Sequence, residues 1–255
     1  MLRTAQEPAM NPRMYTELAP WWPLLSPVDA YADEAFLYHA LLAQVLERAP
    51  DSLLELGCGA GTLASHLPAE LEVILNDLSP DMLAVAAERN PGRQQVPGDL
   101  RTLRLERQVD AVLLHDAVMY MLTEADLTAA LATARAHLKP GGALLVVPDV
   151  AKDGWDGGTD AGGDDADDSL RAARLLEWRW DPDPEDSTFQ VEMAMLLRDE
   201  NGVVHCIHEQ HTMGIFSHET WWRCIREAGF QPVAADLLAL GVDFPTGELF
   251  LARAT

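Results

Sequence analysis

Along the first part of the chain the apolar positions switch repeatedly between helical and strand-like spacing. From Phe36 to Ala49 they recur at three- and four-residue intervals, which predicts a helix that Pro50-Asp51 ends. Ser52 to Leu56 is a short apolar run and predicts a buried strand. A glycine-rich turn follows, Gly57-Cys58-Gly59-Ala60-Gly61, and then a helical stretch over residues 62–68. Leu71 to Leu75 predicts a second strand that reaches Asn76-Asp77. Ser79 suits the N-cap of the next helix and Pro80 its first turn, with the helix running through Asn90.

The alternation continues with a short strand near Gln95-Val96, a loop at Gly98-Asp99 and an apolar strand from Val109 to Leu114. A helix from Glu124 to Leu138 stops at Lys139-Pro140-Gly141-Gly142, and Ala143 to Val147 predicts a further strand. Strands that alternate with helices imply a doubly wound α/β fold with a mostly parallel sheet. The pattern breaks at Asp153. Residues 153–169 hold seven aspartates and five glycines, too polar to form core, and predict a loop that is either a solvated linker or a lid beside a sheet strand. Three strands then follow, over residues 175–182, 189–199 and 203–216. The last two are joined by an Asn201-Gly202 hairpin turn. A helix over residues 219–230 ends at Gly229, and two candidate strands, around 232–238 and 248–252, close the chain.

Composition narrows what this architecture does. The 255 residues are 48% hydrophobic, enough for one large domain or a domain with a sub-domain. A formal charge of −23, with only two lysines among 18 basic residues and no basic cluster, repels polyanions. Nucleic acid is therefore excluded as the main partner. Three cysteines with no C-x-x-C pair argue against a disulfide framework or a zinc ribbon. No apolar run approaches the ~18 residues of a membrane span and none resembles a signal peptide, so a cytoplasmic location is expected.

The strongest motif is Glu55-Leu56-Gly57-Cys58-Gly59-Ala60-Gly61. Glycines here let a strand turn into a helix and let a ligand approach the backbone. A dinucleotide fingerprint would place its third glycine one position later. The E-x-G-x-G-x-G spacing resembles the first motif of the class I S-adenosylmethionine-dependent methyltransferases. The resemblance implies a seven-stranded, Rossmann-like sheet and S-adenosylmethionine as cofactor, with S-adenosylhomocysteine as product. It also implies that Glu55, Gly57, Cys58, Gly59 and Gly61 line the methionyl part. Asp77 would take the ribose hydroxyls, Leu78 and Met82 would flank adenine, and Asp99, with Leu100, would read the adenine amine. Tyr15-Thr16-Glu17-Leu18-Ala19-Pro20-Trp21-Trp22 looks like the lid segment of small-molecule members, with Tyr15 closing over the cofactor.

His115 and Asp116 follow the fourth strand, where the open edge of such a sheet holds its ligands. His115 is a candidate cofactor contact or general base, because an imidazole titrates near neutral pH, and Asp116 is a second catalytic candidate. Asp116 with Asp149 also resembles the metal-binding pair of catechol-type O-methyltransferases, although Asp149-Val150 departs from that family's aspartate-asparagine pair. On the strand 203–216, His205, Ile207, Glu209 and His211 share one face and His208 takes the other. That strand is read as solvated or substrate-facing, without a metal. The late antiparallel insert resembles the cap of the aminosugar N-methyltransferase group, which makes Trp155, Trp178, Trp180, Met193 and Met195 pocket candidates.

The expected organisation is a lid segment at 1–35, a cofactor core at 36–152, an acidic loop and antiparallel cap at 153–216, and a helix with strands completing the sheet at 217–255. The expected activity is methyl transfer to N or O of a small acceptor, an amine or a sugar; a homodimer stays open. The alternatives are a non-catalytic cofactor-binding module and the metal-dependent catechol-type enzyme.

Overall fold

The computed structural model describes residues 12–166, 168–237 and 248–255. Five strands run parallel: β1 (Ser52–Leu56), β2 (Glu72–Asp77), β3 (Gln94–Pro97), β4 (Val109–His115) and β5 (Leu138–Val147). Four more, β6 (Gly158–Gly162), β7 (Ala172–Trp180), β8 (Thr188–Arg198) and β9 (Val204–Gly214), form a separate antiparallel sheet in that order. The chain then returns to the first sheet with β10 (Phe230–Pro232) and β11 (Phe250–Ala254), giving seven strands in the order β10-β11-β5-β4-β1-β2-β3. β11 is antiparallel to both of its neighbours. The strand order reverses between β1 and β4, and a crevice at the carboxyl ends of the strands follows from that reversal.

The helices are the single turn α1 (Trp22–Leu25), α2 (Ala32–Leu46), α3 (Pro80–Arg89), α4 (Glu124–His137) and α5 (His218–Glu227). Alternation along the strands sends Leu54 and Leu56 to the layer shared with α4 and α5, and Leu53 to the layer shared with α2 and α3. Burial on both faces explains why these strands read as continuous apolar runs. No helix among the described residues is long and apolar enough to cross a membrane.

The cap sheet buries one face. Phe189, Val191, Met193, Met195 and Leu197 of β8 pack with Met14, Leu18 and Leu25 of the N-terminal segment, so that segment and the antiparallel sheet share one core. Glu209 on β9 fastens that contact by accepting the backbone N–H groups of Arg13 (2.6 Å) and Met14 (3.0 Å).

Several expectations change. Residues 153–169 are not all loop, because β6 adds its backbone to the free edge of β7. Gly163 permits this: at φ +110 its missing side chain leaves room for the Ala173 carbonyl of β7. The helix expected over 62–68 shrinks to a 3-10 turn at Ala64–His66, since Pro68 forces Leu67 into an extended conformation. Lys139-Pro140-Gly141-Gly142 lies inside β5, absorbed by an irregularity in its pairing with β4. Of the strand expected at 232–238, only Pro232 belongs to a strand, and Leu238 lies outside the described residues.

Candidate active site

The crevice has two halves, and the first lies at the ends of β1 and β2. The carbonyl of fully buried Asn76 accepts the N–H groups of Gly57 and Cys58, both at 2.8 Å, which pins the glycine turn to β2. Gly57, Gly59 and Gly61 all have positive φ. At Gly57 a side chain would collide with the Ala117 methyl just beyond β4, so only glycine lets the two halves approach this closely. Asp77 closes the turn: one carboxylate oxygen accepts from Gly59 N–H and the other from Ser79 N–H, both at 2.8 Å. Burial pushes the Asp77 pKa up against these amide bonds. Each oxygen keeps acceptor capacity for a ligand hydroxyl. Leu78 beside it is 55% exposed, an open apolar surface. Behind the turn, Glu55 is buried with Oε2 unpartnered, and burial raises its pKa to about 7.

The second half lies beyond β4 and β5 and is crowded with acids. His115 Nε2 lies 2.9 Å from Asp116 Oδ1 and 3.8 Å from Glu34 Oε2 of α2, with the Tyr38 ring edge-on to the imidazole at 5.4 Å between centroids. Burial alone would depress the His115 pKa, but Asp116, Glu34 and Asp149 outweigh it and raise it to about 9. Burial likewise pushes Asp116 up, and the His115 cation with a hydrogen bond from Asp149 more than reverses it. Asp149 faces the opposite way: enclosure and repulsion from Asp116 hold its pKa well above the carboxylate range. The two aspartates thus share a proton, carried by Asp149. Glu177, on the inner face of β7, has its pKa raised by burial and then by Asp116. Asp116 itself holds a positive φ of 27°, unusual for a non-glycine residue.

The N-terminal segment, the turn after β4 and β9 of the antiparallel sheet meet in a chain of polar groups. The Tyr15 hydroxyl is 2.9 Å from that of Tyr120, and Tyr120 is 2.7 Å from His211 Nδ1 on β9. His211 Nε2 is 3.4 Å from Glu209 Oε2. The Ser79 hydroxyl, which caps α3, also donates to the Tyr15 carbonyl.

The expected site residues therefore separate into groups. Glu55, Gly57, Cys58, Gly59, Gly61, Asp77, Leu78 and Leu100 gather around the glycine turn, with a Leu100 methyl 3.6 Å from where a Gly57 side chain would begin. Met82 is fully buried behind Gly59 with Ala19 and Ala60, so it backs the turn and does not flank an open adenine site. The Asp99 carboxylate is forked by the Arg101 guanidinium, which also lowers its pKa. His115 carries a proton at neutral pH, contrary to what a general base needs. Met193 and Met195 are core, and Trp178 stacks with Trp180 at 5.9 Å on the far face of the cap; only Trp155, edge-on to Phe189, stays near the acids. Sequence reasoning placed Glu209 and His211 on one strand face without seeing that they meet Tyr120, and it passed over Tyr120, Glu177 and Glu34. The alternation of β9 was the available signal.

A family profile described as "Methyltransferase domain" matches residues 53–142, the stretch from β1 into β5 that holds the glycine turn. The dTDP-3-amino-3,4,6-trideoxy-alpha-D-glucopyranose N,N-dimethyltransferase of Streptomyces venezuelae is 38% identical over 119 residues, covering 44% of this chain and half (50%) of the relative's length. The crystal structure of Streptomyces venezuelae DesVI superposes with a TM-score of 0.76 at 26% identity, over 88% of this chain and 92% of that one. S-adenosylmethionine-bound CalS10, an amino pentose methyltransferase from Micromonospora echinaspora, gives 0.69 at 25% identity over 98% and 100%. The donor set at the glycine turn suits the same cofactor: a carboxylate with spare acceptor capacity, an exposed leucine beside it and a backbone without side chains. Residues 53–142 thus match a methyltransferase domain, and the sheet order and glycine turn are those of a chain similar over most of its length to solved methyltransferase structures.

Proposed function

We propose that the protein transfers a methyl group from S-adenosylmethionine to the amino group of a sugar. One observation carries the choice of acceptor. Asp116, Asp149, Glu177 and Glu34 crowd the crevice beneath the cap, with a single histidine cation among them, a field that attracts an ammonium group and repels a phenolate. The catechol-type reading loses support for a related reason. Asp116 is committed to His115 and to the proton on Asp149, which is a poor donor pair for a divalent ion.

When bound, S-adenosylmethionine supplies an electrophilic methyl on a sulfonium, open to attack by an unprotonated amine. In this reading Asp77 holds the ribose hydroxyls, Leu78 and Leu100 bracket the adenine, Asp99 meets its amine from within the Arg101 pair, and Tyr15 closes the lid. Asp116 orients the acceptor's amine, and His115 acts as the cation that keeps Asp116 ionised. In the expected organisation of a lid at 1–35, a cofactor core at 36–152, a cap at 153–216 and a completion of the sheet at 217–255, residues 1–11, 167 and 238–247 lie outside the described residues, and the described ones take those roles. The three free thiols, Cys58, Cys206 and Cys224, suit a cytoplasmic setting. A second copy belongs against the outer face of the cap sheet. Leu176, Trp178, Leu196 and Val204 are exposed there, and the same face carries both arginine (Arg174) and glutamate (Glu192), so two copies offer each other opposite charges. Sedimentation at micromolar concentration tests it, and a monomer there removes the dimer.

The activity is tested by calorimetry with S-adenosylmethionine and S-adenosylhomocysteine, followed by mass spectrometry of dTDP-3-amino-3,6-dideoxy-glucose incubated with methyl-labelled cofactor. Mono- and dimethylated product supports the proposal. Cofactor binding with no labelled amine, across nucleotide-linked and free aminosugars, would leave the non-catalytic module as the better description.

A further inference from the structure

Segments far apart in the chain converge on one 3-10 turn, Arg13–Tyr15. Its amino end faces β9. Glu209, whose side chain is 8% exposed, accepts Arg13 N–H at Oε1 (2.6 Å) and Met14 N–H at Oε2 (3.0 Å), so each carboxylate oxygen takes one backbone donor of the turn. The carboxyl end of the turn faces the parallel sheet. There the Ser79 hydroxyl donates to the Tyr15 carbonyl, and Ser79 N–H donates to Asp77, whose other oxygen holds the glycine turn through Gly59 N–H. An unbroken line of hydrogen bonds thus runs from the glycine turn through Asp77, Ser79 and the Arg13–Tyr15 turn to the antiparallel sheet. Tyr15 is the side chain that this line places. Its ring lies 5.5 Å from that of Trp22, 5.9 Å from Tyr120 and 5.9 Å from His211, and it is within electrostatic reach of Asp77 in one half of the crevice and of Asp116 and Asp149 in the other. Burial of Met14 and Leu18 with β8 also holds the segment on the sheet, but apolar burial has no direction. The Glu209 bonds do, and they set where Tyr15 sits.

We propose that Glu209 is a positioning residue that couples the two halves of the crevice: by holding the Arg13–Tyr15 turn at the end opposite Ser79, it makes a ligand on Asp77 draw β9 and the antiparallel sheet onto the acid-crowded half. The coupling rests on the methyltransferase reading of the site. The turn has two states, one seated with both ends bonded and one released from Glu209 and Ser79. A ligand on Asp77 meets Tyr15 only in the seated state, so its binding favours seating, and seating fixes Glu209 and its strand. By reciprocity, an acceptor that engages the acids beneath the antiparallel sheet raises the affinity of the other half for its ligand. Glu209 acts on both ligands through Tyr15 and touches neither. Its place on β9, 196 positions from Arg13, is what joins the end of the chain's first turn to a sheet built far later in the sequence.

Two measurements on the full chain test the coupling, both with S-adenosylhomocysteine as the ligand. The first is hydrogen exchange. In the wild type the ligand should slow exchange over residues 13–22 and, together with them, over residues 204–214 of β9. Slowing confined to residues 55–61 and 76–79 overturns the coupling without any variant. Glu209→Gln keeps the shape of the side chain but sets an amide group against one of the two backbone donors. In that variant the slowing on β9 should fall below half of its wild-type value while that at residues 55–61 remains, and an undiminished effect on β9 overturns the coupling. The second measurement is calorimetry. Glu209→Gln should weaken binding by ~10-fold and Ser79→Ala by ~5-fold, the scale of one hydrogen bond with and without a charged partner. Ser79→Ala also loses the cap of α3, which bears on stability. The double variant should bind no more weakly than Glu209→Gln alone, because either break already releases the turn. Effects that multiply, or a Glu209→Gln affinity within about twofold of wild type, overturn the coupling and leave Glu209 as a fastener of the fold. Failure of the wild-type chain to bind S-adenosylhomocysteine overturns the methyltransferase reading instead, and the coupling with it.

Discussion

Asp110, the second residue of β4, and Asp116, the first residue beyond it, sit at opposite ends of one strand in opposite electrostatic settings. Asp110 is 2% exposed and receives Arg48 and Lys139, both at 2.9 Å, the Asp51 N–H at 3.0 Å and the Ser52 hydroxyl at 3.3 Å. Burial would raise its pKa, but these partners reverse that and lower it to about 2. Asp116 is surrounded by Asp149, Glu34 and Glu177, and His115 is its only cationic neighbour among the groups that shift it. A saturated carboxylate fastens the fold. A carboxylate crowded by like charge gains from a cation that arrives from solution, and an acceptor ammonium is such a cation. The sheet therefore keeps a saturated acid at the amino-terminal ends of its strands and its crowded acids at the carboxyl-terminal ends, where Asp77 also lies.

The largest effect should come from removing an acid at the reactive end. Asp77→Ala should weaken S-adenosylhomocysteine binding by about 2–4 kcal/mol, or ~30- to ~1000-fold, because charge-assisted hydrogen bonds to the ribose are lost. Its folding midpoint should change less. Calorimetry with a parallel melting curve checks this, and an unchanged affinity would remove Asp77 from the cofactor site. At the structural end the outcome should invert. Asp110→Asn should cost about 2 kcal/mol of stability, with S-adenosylhomocysteine affinity unchanged, because Arg48, Lys139, the Asp51 N–H and the Ser52 hydroxyl lose a charged acceptor. The folded pKa of Asp110 lies below its unfolded value, so this stability is present above about pH 4 and fades as pH falls through about 2. Denaturant titration from pH 7 to pH 2 reads it. A constant difference between wild type and variant over that range would show that charge is not what Asp110 contributes.

Asp116→Asn should act more weakly and elsewhere. With the negative charge gone, Asp149 loses its main repulsion and should ionise more readily, so some acidity returns to the crevice. The KM for an amine acceptor should rise by ~10-fold, near 1.4 kcal/mol, with S-adenosylhomocysteine affinity within about twofold. An equal loss of cofactor affinity would mean that Asp116 serves the other half of the crevice.

What was legible in the sequence divides along the same line. β1 is found at Ser52–Leu56 as expected, and Ser79 caps α3 with Pro80 in its first turn, because these features depend on residues a few positions apart. That the glycine turn and Asp77 come together was legible for the same reason: they lie on consecutive strands. The acid-crowded half of the crevice is assembled from distant pieces. Glu34 comes from α2, Asp116 from the end of β4, Asp149 from beyond β5 and Glu177 from the cap, and Tyr120 meets His211 across 91 positions. No local pattern announces the protonated state of His115, since the acids that set it come from three elements. β6 was illegible for another reason: all five of its residues are exposed, and its strand character comes from the free edge of β7. The Asp99–Arg101 pair was readable, being two positions apart, but the resemblance drew attention to adenine instead.

The smallest effect separates the two ends by pH. The pKa of folded His115 is raised above its unfolded value to about 9, so its pairing contributes stability that is full below about pH 6.5 and is lost as pH rises through about 9. That is the reverse of Asp110, whose contribution fails only in acid. Asp116 is about half exposed at its side chain (48%), so solvent screens the pair, and His115→Gln should cost under ~1 kcal/mol at pH 7. By pH 10 the wild type and His115→Gln should unfold at nearly the same denaturant concentration, while the Asp110→Asn difference stays as large as at neutral pH. Groups elsewhere that titrate in this range affect both proteins alike and cancel in the comparison. If the His115→Gln difference is as large at pH 10 as at pH 7, His115 contributes packing against Tyr38 and not charge, and Asp116 would have no protein cation to lose when an acceptor amine takes its place.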